Sequence, residues 1–226
     1  MSALLQKEID KLKQNILTQV AEVEENVRLS VNSFEKLDGG LAKKVISKDH
    51  EVDSTEVDLE EECLKILALH QPVAGDLRFI ISVLKINSDL ERISDLAVNI
   101  AERAKFLSAN GRRFFFFDFS VMTDKVQEML RNSINSLITL NVKIAYDVCA
   151  MDTEIDIINR EMYDLAKQAI LKNPENVEEI IHFLGVSRNL ERIADHATNI
   201  AEDIIYMIDG DIIRHHVKDY KKFNSL

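Results

Sequence analysis

The sequence has no tryptophan, two cysteines, and only two prolines and six glycines in 226 residues. So few turn-formers leave little room for tight connections, which argues against a hairpin-rich fold and favours a few long helices. Cys63 and Cys149 stand 86 positions apart with no CxxC partner, which points to buried free thiols in a reducing compartment. No apolar run approaches the roughly 20 residues of a membrane span. The amino terminus, MSALLQKEIDKLKQ, lacks the apolar core of a secretory signal, so a cytoplasmic address is the expectation. Basic charge is also scarce: 28 Lys and Arg against 39 Asp and Glu give a formal net charge of −11. That balance repels nucleic-acid phosphates and suits cations or basic protein patches. There is no GxxxxGK[ST] loop and no nucleophile elbow, so nothing supports phosphate chemistry by the chain itself.

What the chain does contain is a repeat. Residues 90–102, LERISDLAVNIAE, recur at 190–202 as LERIADHATNIAE, with ten of thirteen positions identical. Upstream the offset is 103: Arg28, Ser30, Asn32, Ser33 and Leu37 recur as Arg131, Ser133, Asn135, Ser136 and Leu140. Ala42, Val45, Asp49, Glu51 and Asp53 likewise recur as Ala145, Val148, Asp152, Glu154 and Asp156. Two copies of one unit account for nearly the whole chain. Residues 1–110 form the first, 111–119 a Phe-rich linker, and 120–226 the second with a short tail.

Each unit reads as three helices. The first covers roughly residues 2–37 and stops near Asp38-Gly39-Gly40. The second runs from about Leu41 to Leu69 and halts before Pro72, because the residue preceding a proline disfavours the helical region. The third starts near Pro72, with Asp76 placed to complement its dipole, and ends near Leu107. In the second unit Ser120 is expected to cap the fourth helix, Leu140-Asn141 to mark the next joint, and Asn173-Pro174 to cap and open the sixth. The predicted class is all-α, with two tandem antiparallel three-helix bundles.

At about 100° per residue, Glu91, Asp95, Asn99 and Glu102 fall at about 0°, 40°, 80° and 20°, one narrow stripe opposite the apolar face of the third helix. Like charges at i,i+4 repel, so a plain solvent face would more often alternate sign. The stripe recurs as Glu191, Asp195, Asn199 and Glu202, and the neighbouring helices add Asp49/Asp53 and Asp152/Asp156. If adjacent helices bring these together, each cluster needs a cation to neutralise it, and an all-oxygen set suits hard cations such as iron, manganese, magnesium or calcium.

The runs Glu62-Cys63-Leu64, Gln71-Pro72-Val73-Ala74-Gly75-Asp76-Leu77-Arg78 and Asp89-Leu90-Glu91-Arg92-Ile93-Ser94-Asp95 resemble the PhoU family of phosphate-uptake regulators. So do Asn189 to Glu202 and Ile205-Tyr206-Met207-Ile208-Asp209-Gly210-Asp211. The resemblance implies two three-helix bundles whose E(D)xxxD motifs bind multinuclear metal clusters, iron above all, with zinc, manganese or magnesium as alternatives. Carried over by position, the motifs are Asp49/Asp53, Glu91/Asp95, Asp152/Asp156 and Glu191/Asp195, extended by Asn99, Glu102, Asn199 and Glu202. Ser94 and Ala194 stand where family members often have glycine; both are small. The resemblance also implies a homodimeric, non-enzymatic negative regulator of phosphate uptake and the phosphate-starvation response. Its implied partners are a phosphate ABC transporter and a sensor histidine kinase, so membrane contact is only indirect.

An alternative is a carboxylate-bridged di-metal enzyme, since Glu179-Ile180-Ile181-His182 matches a Glu-x-x-His element; that fold needs two such elements and only one is present. His196 aligns with Leu96, and His50 also lacks a histidine counterpart, so neither is read as a duplicated ligand. Phe114-Phe115-Phe116-Phe117-Asp118-Phe119 holds half of the ten phenylalanines and is read as a connector tucked against the bundle ends, with partner docking as the other reading.

Overall fold

The computed structural model describes residues 3–110, 117–210 and 212. Six α-helices form in the order α1 (Ala3–Glu35), α2 (Gly39–His70), α3 (Ala74–Ala109), α4 (Ser120–Thr139), α5 (Val142–Lys172) and α6 (Val177–Asp209). No strand occurs among the described residues. Apolar residues spaced three or four apart dictate the helices: on α1, Leu5, Ile9, Leu12, Ile16, Val20, Val23 and Val27 are all buried along one side.

The joints differ in detail from their expected form. Leu37, in the left-handed region at φ 49°, ends the turn after α1. Asp38 then caps α2, its carboxylate accepting from the Gly40 and Leu41 amides at 2.9 and 3.0 Å. Gly39 is there for space, since a Cβ would lie 2.6 Å from Ser108 Oγ. The third helix begins at Ala74 rather than Pro72, with Asp76 in its first turn as expected. Ser120 is not a cap: Phe119 occupies that position and makes no side-chain cap bond, while Asp118 Oδ1 accepts from the Ser120 amide at 2.9 Å. Pro174 opens a single 3-10 turn, Pro174–Asn176, before α6 begins at Val177.

Within each unit the three helices pack on one another, and α3 and α6 join the units along a seam as broad as any inside them. The seam is antiparallel: Ser82 reaches Asp203, Asp89 reaches His196 and Phe106 reaches His182, so numbers rise on one helix as they fall on the other. One apolar core therefore runs continuously through both repeats. Phe117 and Phe119 are buried and close it at one end, stacking with Phe34 and Phe183 at centroid distances of 5.1 to 6.1 Å. These two fit the connector reading; Phe114–Phe116 lie outside the described residues.

Candidate metal sites

The short link between α2 and α3 folds them side by side and sets Asp49 and Asp53 across from Glu91 and Asp95. Ser94 Oγ donates to Asp49 Oδ1 at 3.5 Å and marks the crossing. Asp49 and Glu91 are half-buried, whereas Asp53 and Asp95 are exposed. Burial pushes the Asp49 carboxyl above its ordinary range, and the charges of Asp53 and Asp95 push it further. Glu91 is raised by burial and then by Asp95, Glu56 and Asp53. Glu56 is itself raised, by burial and then by Glu60, Asp53 and Asp95, so it belongs to this cluster. Glu56 has no acidic counterpart in the duplicate, where Asn159 stands, so the repeat comparison does not single it out. Its i,i+3 spacing from Asp53 was the available signal.

The second cluster, between α5 and α6, is tighter. Carboxylate oxygens of Asp156, Glu191 and Asp195 lie within 4.8 Å of one another. Asp152 joins them: burial raises its carboxyl, Asp156 and Glu202 add to the effect, and Thr198 Oγ1 partly opposes it by donating at 3.3 Å. Glu191 is raised by burial, then by Asp156 and Asp152. Asp195, exposed at the rim, is pushed up to about 6 by desolvation of its carboxyl and by Glu191, Asp152 and Asp156. Arginines stand nearby, with Arg160 reaching Asp156 at 3.5 Å and Arg188 and Arg192 acting on Glu191. They do not offset burial and repulsion together, since Asp152, Glu191 and Asp195 are all shifted upward.

Of the four residues that extended the motifs, Glu202 adjoins its cluster, through its charge on Asp152. Asn199 turns toward the other repeat, its Nδ2 donating to Asp89 Oδ1 at 3.3 Å beside His196 Nδ1 at 2.7 Å from the same oxygen. Asn99 and Glu102 are exposed one and two turns beyond Asp95. The clusters are also more recessed than a stripe opposite the core, with Asp49, Glu91, Asp152, Asp156 and Glu191 half-buried in grooves between helices.

The donor chemistry fits a cation. Hard oxygen atoms this close can share one ion at metal–oxygen bonds of roughly 2.0–2.6 Å. The ion would supply the positive charge that the carboxylates lack. Asp156, Glu191 and Asp195 would hold it in the second repeat; in the first, Asp49, Asp53, Glu91 and Asp95 face one another across the groove without forming a group this tight. The Glu-x-x-His element takes no part. Glu179 is buried, His182 stacks on Phe106 at a centroid distance of 3.9 Å, and nine helical residues put His182 about 13 Å along the axis from Glu191. His50 is exposed, 3.9 Å from Asp53 Oδ2.

Residues 16–104 and 119–204 match the PhoU domain. The chain is 36% identical over 214 residues to a phosphate-specific transport system accessory protein PhoU homolog of Aquifex aeolicus, covering 94% of this chain and 97% of that protein. A homolog of the same description from Clostridium acetobutylicum is 30% identical over 92% of this chain and 95% of its own length. Among solved structures, PhoU from Pseudomonas aeruginosa superposes with a TM-score of 0.88 at 31% identity, over 91% of this chain and 99% of that one. The phosphate transport system regulatory protein PhoU from Streptococcus pneumoniae superposes with a TM-score of 0.81 at 27% identity, over 92% and 98%.

Proposed function

Because the chain belongs to the PhoU domain family, we propose that it serves as an accessory protein of a phosphate-specific transport system. In this reading it restrains phosphate uptake and the phosphate-starvation response when phosphate is plentiful. It acts in the cytoplasm, as a homodimeric adaptor between the phosphate ABC transporter and a sensor histidine kinase, and not as an enzyme. Each repeat presents one metal-bearing face, holding a multinuclear cluster, iron foremost, with zinc, manganese or magnesium able to substitute.

The observation that carries the reading is the duplicated carboxylate cluster. Acids recur at matching positions in both repeats, closest at Asp156, Glu191 and Asp195, and burial together with their own repulsion disfavours their charged forms, which favours a bound cation over a merely wet surface. The relatives' names, accessory and regulatory proteins of phosphate transport, supply the setting. The carboxylate-bridged enzyme gains no support, because its single Glu-x-x-His element lies apart from both clusters.

Affinity-tagged full-length chain, recovered from cells grown in high and in low phosphate, tests the proposal. Retention of importer components and the kinase at high phosphate is expected, weakened by Asp156→Asn with Glu191→Gln. A chain that holds neither partner at any phosphate level contradicts it. Elemental analysis of protein purified without chelator tests the metal separately.

A further inference from the structure

The first repeat buries a polar pair that the carboxylate clusters alone do not account for. Gln19 on α1 is fully buried, and neither its Nε2 nor its Oε1 has a hydrogen-bond partner. Asn87 on α3 is 2% exposed; its Nδ2 donates to the Glu56 carbonyl at 2.9 Å, while its Oδ1 is unpartnered.

The duplication shows how these groups sit. Gln19 and Glu56 correspond to Met122 and Asn159 at the offset of 103, and Asn87 to Ser187 at the offset of 100. In the second repeat these three meet: Ser187 Oγ donates to Asn159 Oδ1 at 2.8 Å and lies 3.6 Å from Met122 Sδ. By that correspondence Gln19 belongs to the junction of α1, α2 and α3 at which Asn87 holds the Glu56 carbonyl. One copy closes its core with a thioether and a satisfied hydroxyl, whereas the other leaves three polar atoms open.

An unpaired buried amide atom costs about 1–3 kcal/mol, and native cores seldom keep one without a partner or an ordered water. Buried waters answer this need, each making about three hydrogen bonds. The location gives the pocket its purpose. Asn87 precedes Glu91 by one turn on α3, and the carbonyl it holds belongs to Glu56, one turn beyond Asp53 on α2. We infer that Gln19 and Asn87 enclose a hydrated polar pocket beneath the first carboxylate cluster, and that Asn87 is a positioning residue fixing Glu56 and Glu91 at the spacing a cation requires. The positioning role rests on the metal-binding reading above; the hydrated pocket does not.

The test transplants the second repeat's residues into the first. In a full-length chain whose second cluster is disabled by Asp156→Asn, Glu191→Gln and Asp195→Asn, Mn2+ binding is followed by EPR titration. Gln19→Met is expected to raise the thermal midpoint, because methionine leaves no buried amide to satisfy, and to leave Mn2+ binding unchanged. Asn87→Ser, which gives up the hold on the Glu56 carbonyl, is expected to weaken Mn2+ binding roughly 10-fold. In the reciprocal background, Glu91→Gln with Asp95→Asn, neither substitution changes Mn2+ binding at the second cluster.

Unchanged Mn2+ affinity and linewidth in Asn87→Ser would overturn the positioning role. Unfolding of the Gln19→Met chain would overturn the pocket, because methionine fills the same place in the duplicate. If the starting background binds no Mn2+, the metal reading and the positioning role fail with it. The pocket is then judged by water-to-amide NOEs at the Gln19 side chain, expected in the natural chain and required for the pocket to stand.

Discussion

Asp195→Asn removes both effects that disfavour charge at this position, its burial and the repulsion of Glu191, Asp152 and Asp156. Asp195 has an ordinary pKa of 3.8 and is pushed up to about 6 in the fold. Between those values the folded protein keeps a proton that the unfolded chain releases, so stability falls as pH rises through this window and stays reduced above it. At about 1.36 kcal/mol per pH decade the full shift approaches 3 kcal/mol. Asp195 is exposed, however, and solvent screening brings the expected cost down to about 1 kcal/mol. Asparagine keeps the shape and removes the charge. In chelator at pH 8 the variant should melt about 2–4 °C above the parent, and at pH 4 the two should coincide. Saturating Mn2+ should invert the order, since a ligand at 100 times its Kd adds about 2.7 kcal/mol to the chain that binds it. Differential scanning calorimetry across pH, with and without Mn2+, reads all three arms. A lower midpoint for the variant in chelator at pH 8, or an equal shift at both pH values, would refute this reasoning.

Other expectations concern the frame around the sites. Phe119→Ala removes a 4%-exposed ring packed against Phe34 and Phe183 and should cost about 3–5 kcal/mol in urea unfolding. Lys85→Ala takes away the ammonium 3.2 Å from Asp203, which is 1% exposed, and should cost about 2 kcal/mol, loosening the α3–α6 seam. Gly185→Ala places a methyl 2.1 Å from Arg103 Cζ, but the guanidinium can swing aside, so the gain in helix propensity should win by up to about 1 kcal/mol; a lower midpoint would show that Arg103 cannot move. Cys63, whose thiol burial pushes up to about 12, and the buried Cys149 should both resist DTNB in native protein and react in guanidinium.

Helix-period spacing made the six helices legible, because the apolar positions of α1 and α3 repeat at three and four residues and admit no other periodic structure. Helix ends were less legible. Ser120 looked like a cap, but Asp118 two residues earlier holds the exposed amide, and one side chain takes that bond or the other according to local backbone geometry. Site membership divided along the same line. The motif acids could be named from their repetition, but Glu56 could not, since its place in the cluster depends on which α2 residues the groove against α3 draws in. Asn199 shows the converse. Its register on the helix matches the stripe, yet the amide is drawn across the seam to Asp89.

By itself, then, the sequence determined the helical class, the duplication, the family resemblance and the eight motif carboxylates, because these depend on residue types recurring at helical spacings and repeat offsets. The tertiary structure decided that the two repeats share one core along α3 and α6, and that Asp49, Glu91, Asp152, Asp156 and Glu191 sit half-buried in grooves rather than standing clear of the packing. It also decided that the first repeat encloses an unsatisfied amide pair where the second has a methionine and a serine. Each of these depends on contacts between residues far apart in the chain, and an amphipathic helix exposes which face it will bury without stating which partner will cover it.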